Sequence, residues 1–154
     1  MGERPRILVV DDEESIRKVL AAILEQEGYD VDTAENGREA IRKSNENFYN
    51  LALLDIRLPD MEGTQLLAAI KETTPKMIKI IVTGYPSLRN AMEALNNGAD
   101  AYVLKPFDVR KVLDTIKESL RKQQGEKRYS EAKVTEFIET RAKELQITNA
   151  AKMK

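Results

Sequence analysis

Apolar and polar positions along the chain follow two alternating patterns. Short apolar runs are separated by longer stretches in which apolar residues recur every three or four positions, the period of a half-buried helix. Arg6 to Val10 is apolar and β-branched, and it stops at Asp11-Asp12-Glu13-Glu14. Ile16, Val19, Leu20, Ile23 and Leu24 follow at helical spacing as far as Gly28, a residue suited to ending a helix. Tyr29 to Ala34 alternates, as a strand near a sheet edge does; Asn36-Gly37 is a turn, and Arg38 to Asn47 is a weaker helix around Ala40, Ile41 and Ser44. Leu51 to Leu54 is too short for a helix and too apolar for a loop, so it reads as a strand buried on both faces that ends in Asp55.

The second half repeats the pattern. Leu66, Leu67 and Ile70 mark a helix ended by Pro75, and Met77 to Val82 is an apolar run closed by Thr83-Gly84. Pro86 opens a helix, ended by Asn97-Gly98, whose Leu88, Ala91 and Leu95 are expected in the core. Ala101 to Leu104 is a further strand ended by Lys105-Pro106. Asp108 can cap the helix that follows, which is predicted to bury Val109, Val112, Leu113, Ile116 and Leu120. Five strand-helix units in strict alternation predict an α/β fold: a doubly wound, five-stranded parallel sheet with right-handed crossovers. From Arg121 the sequence turns polar as far as Arg128, and Val134, Phe137, Ile138, Ala142 and Leu145 then restart a helical stripe. A heptad carried through from Leu120 would place Gln123, Lys127 and Ser130 on its seam, which disfavours one continuous coiled coil. The expected organisation is a first domain over 1–122, a hinge over 123–129 and a C-terminal helical extension over 130–154, frayed from Ile147 onward.

Composition narrows the chemistry. The 154 residues, 42% of them hydrophobic and 33% charged, can bury a core without staples. There is no Cys and no His, so disulfides, thiolate metal sites and imidazole bases are excluded, leaving carboxylates, hydroxyls and amines. A net charge of −1 gives no reason to expect direct nucleic-acid or membrane binding. No run is long enough to span a bilayer, and the apolar stretch after Met1 to Arg6 is too short for a secretory signal, so a cytoplasmic location is the expectation.

An acid at the end of a strand is more often a turn or helix cap than a reactive group. Asp55, however, has company: Asp11 and Asp12 follow the first strand, Thr83 the fourth and Lys105 the fifth, all on the sheet edge where open α/β folds bind ligands. Three crowded carboxylates repel one another, and a hard divalent cation with oxygen ligands relieves them; Mg²⁺ suits the set, with Mn²⁺ as the alternative. Such a cation would neutralise an incoming phosphoryl group while the Lys105 ammonium and the Thr83 hydroxyl contact its remaining oxygens. Asp55 would be the nucleophile, and being already ionised it needs no histidine base. Glu13 and Glu14 read more simply as first-turn acids favoured by the helix dipole, and Asp60 as a residue of the Pro59 turn.

Val9-Val10-Asp11-Asp12, Leu54-Asp55 through Pro59-Asp60-Met61-Glu62-Gly63, Val82-Thr83-Gly84 and Tyr102-Val103-Leu104-Lys105-Pro106-Phe107 together resemble the receiver domain of two-component response regulators, over roughly residues 5 to 122. The resemblance implies a sheet ordered 2-1-3-4-5 and phosphorylation of Asp55 by a partner histidine kinase. It implies Mg²⁺ held by Asp12, Asp55 and the Arg57 backbone carbonyl, with Asp11 acting through metal-bound water, and a cis peptide between Lys105 and Pro106. Thr83 and Tyr102 match the family's switch pair, in which the hydroxyl moves toward the phosphoryl group and the aromatic ring turns inward. Such a protein is a regulator rather than an enzyme, catalysing only its own phosphorylation and dephosphorylation. Its output would pass to a downstream protein or a homodimer through the face formed by the fourth helix, fifth strand and fifth helix, or through the C-terminal helix. Arg57 and Tyr85 offer no carboxylate or amide to orient a hydrolytic water. They imply slow self-dephosphorylation, which a phosphoryl half-life of seconds in Mg²⁺ buffer would refute. Gly84, where the family often has Ala, leaves the site open.

Two other readings fit parts of the pattern. An Asp-nucleophile, Mg²⁺-dependent phosphohydrolase would place its nucleophile after the first strand, whereas a receiver-like binding module working without phosphorylation would take up no phosphoryl group at all. A stand-alone regulator is the expected context, with a piece of a longer transcriptional regulator as the alternative.

Overall fold

Parallel strands buried on both faces must be uniformly apolar, and the uninterrupted runs of the sequence form such a sheet. The computed structural model describes residues 4–73, 75–84 and 87–152. In chain order the elements are β1 (Arg6–Val10), α1 (Glu14–Gln26), β2 (Asp30–Ala34), α2 (Gly37–Glu46), β3 (Leu51–Asp55), α3 (Gly63–Ala69), β4 (Ile78–Thr83), α4 (Leu88–Asn96), β5 (Ala101–Leu104) and α5 (Val109–Lys152). The strands lie in the order β2-β1-β3-β4-β5, with every neighbouring pair parallel. The expected α/β architecture and strand order are therefore what the chain adopts. Among the described residues no helix is long and apolar enough to cross a membrane.

Two compact units divide the chain, Met1–Leu120 and Arg121–Lys154. In the first, alternate residues of each strand enter opposite layers. Leu8, Val10, Ala52, Leu54 and Ile81 face a cluster completed by Ala40, Leu66, Leu67 and Ala94 from α2, α3 and α4. Ile7, Val9, Leu51, Leu53 and Ile80 face the cluster of Leu20, Leu24, Val112 and Ile116 from α1 and α5. Gly28, at φ 97°, turns the chain out of α1 and back toward the sheet, a left-handed conformation that glycine alone adopts cheaply.

Some predicted core positions are not core. Leu88 is 79% and Leu95 71% exposed, and Ala94 is the buried residue of α4. The small side chain lets this helix approach the sheet, which turns its larger apolar residues outward. Val109 and Val19 are likewise exposed, and Val112 and Ile116 supply the buried face of α5. Conversely, Tyr49 and Lys79 are buried without any sequence signal. The Tyr49 hydroxyl donates to Asp32 at 2.6 Å, and Lys79 Nζ reaches the Leu67 carbonyl near the end of α3. Pro86, expected to open α4, lies outside the described residues; Ser87 is the N-cap, its hydroxyl accepting from the Asn90 amide at 3.0 Å.

In the second unit the backbone is helical through Lys152, so residues 123–129, where a hinge is expected, carry helical backbone. Arg, Lys, Gln and Glu are good helix formers, and a polar stretch interrupts a hydrophobic stripe without interrupting a helix. Tyr129, Val134, Phe137, Ile138 and Leu145 are all exposed. Gly125 has open space where a Cβ would sit. Gly125→Ala should therefore stabilise this segment by about 1 kcal/mol and raise the ellipticity signal at high temperature; an unchanged melting profile would instead fit a hinge.

Candidate functional site

Strand register brings the sequence-predicted site residues together. Val10, Leu54, Ile81 and Tyr102 form one row across the sheet. Asp11 and Asp55 fall one residue further along their strands, Thr83 two and Lys105 three. Asp11, Asp55 and Thr83 are buried, while Asp12 is exposed.

Lys105 is the bridge between them. Its ammonium donates to Asp11 Oδ2 at 2.7 Å and to Asp55 Oδ2 at 3.1 Å. Burial alone would depress its pKa, but the two carboxylates outweigh burial and hold it above the ordinary lysine value. Asp55 is also shifted up: its own burial dominates and the neighbouring Asp11 adds to it, against the Arg57 amide and the Lys105 ammonium. Asp55 thus has one oxygen on Lys105 and the other, Oδ1, accepting from the Arg57 amide at 3.0 Å. The Lys105–Pro106 peptide is cis, and the Lys105 amide donates to the Thr83 carbonyl at 2.7 Å, tying the ends of β4 and β5 together.

Carboxylate oxygens of Asp11, Asp12 and Asp55 lie within 4.8 Å of one another. Two buried acids and one exposed acid, all oxygen donors, fit a hard divalent cation that keeps part of its shell for water. Glu13 stands outside this set, and Glu14 pairs with Lys18 at 2.9 Å on the surface of α1.

Thr83 shares its strand face with Ile81, the register partner of Tyr102, so both members of the expected switch pair face the α4 side of the sheet. Tyr102 Oη is buried without a hydrogen-bond partner among the described residues. Its phenol is pushed up by burial, and the Ser87 backbone eases the shift without completing a hydrogen bond. Among the described residues, a Cβ at Gly84 would meet the Lys105 side chain at 3.7 Å, an ordinary contact distance. Tyr85 lies outside the described residues.

Three features of the β3–α3 loop go beyond what the sequence analysis expects. Gly63 packs so closely against the backbone of Asp55 and Ile56 that no Cβ fits, and its amide donates to the Ile56 carbonyl at 2.6 Å. Gln65 accepts from the Glu62 amide at 3.0 Å, half of a capping-box arrangement at the start of α3. Asp60, expected to serve the Pro59 turn, instead accepts from the Gly37 and Arg38 amides of α2. The first signal was available as a glycine directly before an amphipathic run; the last pairs residues 22 and 23 positions apart and leaves no local pattern.

Residues 7–117 match the response regulator receiver domain model, and the chain belongs to that family. It is 42% identical over 135 residues to the transcriptional regulatory protein ZraR of Klebsiella oxytoca, an alignment covering 88% of this chain and 30% of that protein. The chain therefore spans about a third of the length of that relative. Among solved structures, a CheY-like response regulator receiver domain protein from Methanospirillum hungatei JF-1 superposes with a TM-score of 0.78 at 49% identity, covering 80% of this chain and 99% of the other. The response regulator TrrA of Thermotoga maritima, solved in complex with Mg²⁺-BeF, has a TM-score of 0.67 at 37% identity over 75% of this chain and 98% of its own.

Proposed function

We propose that the chain is a phosphorylation-controlled switch in which Asp55 accepts a phosphoryl group from a partner histidine kinase, in the cytoplasm. The observation that carries this reading is the Lys105 ammonium held between Asp11 and Asp55. It marks where an anionic group would be received at the sheet edge. An ionised Asp55 oxygen attacks phosphorus as the bond to the kinase imidazole breaks, and the electron pair leaves with that nitrogen. Lys105 then exchanges its contact with Asp55 for a phosphoryl oxygen, and the Thr83 hydroxyl donates to a second. Asp12, Asp55 and the Arg57 carbonyl would hold Mg²⁺, with Asp11 acting through its water; when bound, the cation supplies charge neutralisation for the phosphoryl oxygens.

The buried Tyr102 hydroxyl, without a hydrogen-bond partner among the described residues, supports a role for this residue in the response. Full inversion of a two-state equilibrium needs roughly 5.5 kcal/mol, and each charge-assisted hydrogen bond contributes about 1.5 to 3 kcal/mol, so two or three new contacts suffice. Beryllofluoride, an acyl phosphate mimic, should with Mg²⁺ shift the amide NMR signals of Thr83, Tyr102 and α4, while Tyr102→Phe still binds the mimic but propagates a smaller change to α4. A spectrum indifferent to beryllofluoride and Mg²⁺ would refute the switch.

Residues 1–122 act in this reading as the receiver and 130–154 as an output extension. Leu88, Met92, Leu95 and Leu104 expose apolar surface on the face of α4 and β5, and Tyr129, Val134, Phe137, Ile138 and Leu145 do so in the C-terminal unit. These are the surfaces offered to a downstream protein or a second copy. Solution mass with and without beryllofluoride separates them: a mass increase lost in Leu95→Glu assigns the receiver face, and one lost in Phe137→Glu assigns the extension. A mass unchanged by beryllofluoride excludes phosphorylation-dependent self-association.

A further inference from the structure

The loop that leaves Asp55 is fastened to another element by one carboxylate. Asp60 Oδ1 accepts from the Gly37 amide at 2.8 Å and Oδ2 from the Arg38 amide at 2.9 Å. These are two of the donors that every helix leaves unsatisfied at its start, and the Asn36 side chain takes the Glu39 amide at 2.8 Å beside them. The Asp60 carboxyl is held below its ordinary range, by the Gly37 amide above all. Met61 lies directly over Gly37, where a Cβ would run into its side chain, so the loop sits against the start of α2 through a second, independent contact.

The fastening reaches the site through the loop's own hydrogen bonds. The Leu58 amide donates to the Met61 carbonyl at 3.1 Å, and Arg57 and Glu62 form an antiparallel bridge around the Pro59-Asp60 tip. The Arg57 amide holds Asp55 Oδ1. The opposite wall is tied in as well, because the Asp11 amide donates to the Ala34 carbonyl at the end of β2, just before α2.

We propose that Asp60 is a positioning residue of the cation site: by clamping the loop tip to the start of α2, it fixes the Arg57 backbone and through it the Asp55 carboxylate. The proposal rests on the reading of Asp11, Asp12 and Asp55 as a Mg²⁺ site. Asp60 itself touches neither cation nor phosphoryl group. A free loop would have to be ordered each time the cation binds, so the clamp should appear as affinity.

Calorimetric titration of the full chain with Mg²⁺ tests this, using the parent, Asp60→Ala, Asp60→Asn and Asn36→Ala. Outer partners of metal ligands typically set affinity by 10- to 100-fold, so Asp60→Ala should raise the dissociation constant about tenfold, with Asp60→Asn, which keeps one acceptor oxygen, in between. Asn36→Ala removes a cap from the same helix without releasing the loop. It should lower thermal stability yet leave Mg²⁺ affinity unchanged. In metal-free protein, hydrogen exchange at the Gly37 and Arg38 amides should accelerate in Asp60→Ala. Phosphoryl uptake should need more Mg²⁺ for half-saturation at an unchanged maximal rate. Equal affinity in parent and Asp60→Ala, or an equal loss in Asn36→Ala, overturns the proposal. A parent protein that binds no Mg²⁺ overturns the site reading beneath it.

Discussion

Gly63→Ala should destabilise the protein by about 3 kcal/mol, the upper part of the range for overpacking a closed site, and lower its melting temperature by roughly 10 °C. The added Cβ would lie 2.6 Å from the Asp55 carbonyl oxygen and 2.7 Å from Ile56 Cα. Both are backbone atoms at the buried end of β3, in Asp55 and the residue after it, so no side chain can swing aside. Relief requires moving α3 away from β3 or the end of β3 away from its neighbours. The first route breaks the 2.6 Å bond from the Gly63 amide to the Ile56 carbonyl, and the second displaces Asp55 from Lys105. Thermal denaturation followed by circular dichroism checks the stability; a loss under about 1 kcal/mol would mean that the loop relaxes more freely than its hydrogen bonds suggest.

Asp55→Asn should abolish phosphoryl uptake and yet make the metal-free protein more stable at neutral pH. Uptake fails because an amide is not a nucleophile toward phosphorus. Stability rises because the folded Asp55 pKa lies above its unfolded value, chiefly through burial. A carboxyl shifted in that direction binds its proton more tightly in the folded state, so the wild-type protein loses stability as pH climbs from the ordinary aspartate value through the folded one. The penalty grows as pH rises through that window and is absent where both states are protonated. The asparagine carries no such charge and can still accept from the Arg57 amide. In EDTA its melting temperature should exceed that of the wild type at pH 7, with the gap closing as pH falls into the carboxylate range. Equal melting at pH 7 would show that the Lys105 contact cancels the cost of burying the charge. A functional group held at the expense of stability is common at reactive sites.

The sheet and its reactive edge were legible because parallel strands buried on both sides demand continuous apolar runs, and the residue that ends each run lands on the same edge. Asp11, Asp55, Thr83 and Lys105 could therefore be grouped before any distance was known. The α4 face departs from its sequence pattern for a related reason. Leu88, Ala91 and Leu95 recur at helical spacing, but spacing marks a stripe without saying which way it faces, and the helix packs by Ala94. Residues 123–128 carry no apolar side chain, which hides the helix because their helical propensity comes without a hydrophobic pattern. The sequence around Asp60 points to its nearest turn. Its actual partners, Gly37 and Arg38, are reached only once β2 and β3 are laid on either side of β1. Tyr49 and Lys79 share this limit, since burial of one polar side chain depends on partners elsewhere in the chain.

The assignment of Asp55 as phosphoacceptor has a direct test. The full chain is incubated with acetyl phosphate and Mg²⁺, the acyl phosphate is reduced with borohydride to mark the modified residue, and the position is read by peptide mass spectrometry. A single mark on Asp55, absent when Mg²⁺ is replaced by EDTA, is the expected result. A mark on Asp11 or Asp12, as an Asp-nucleophile phosphohydrolase would give, or no mark at all, as a receiver working without phosphorylation would give, contradicts it.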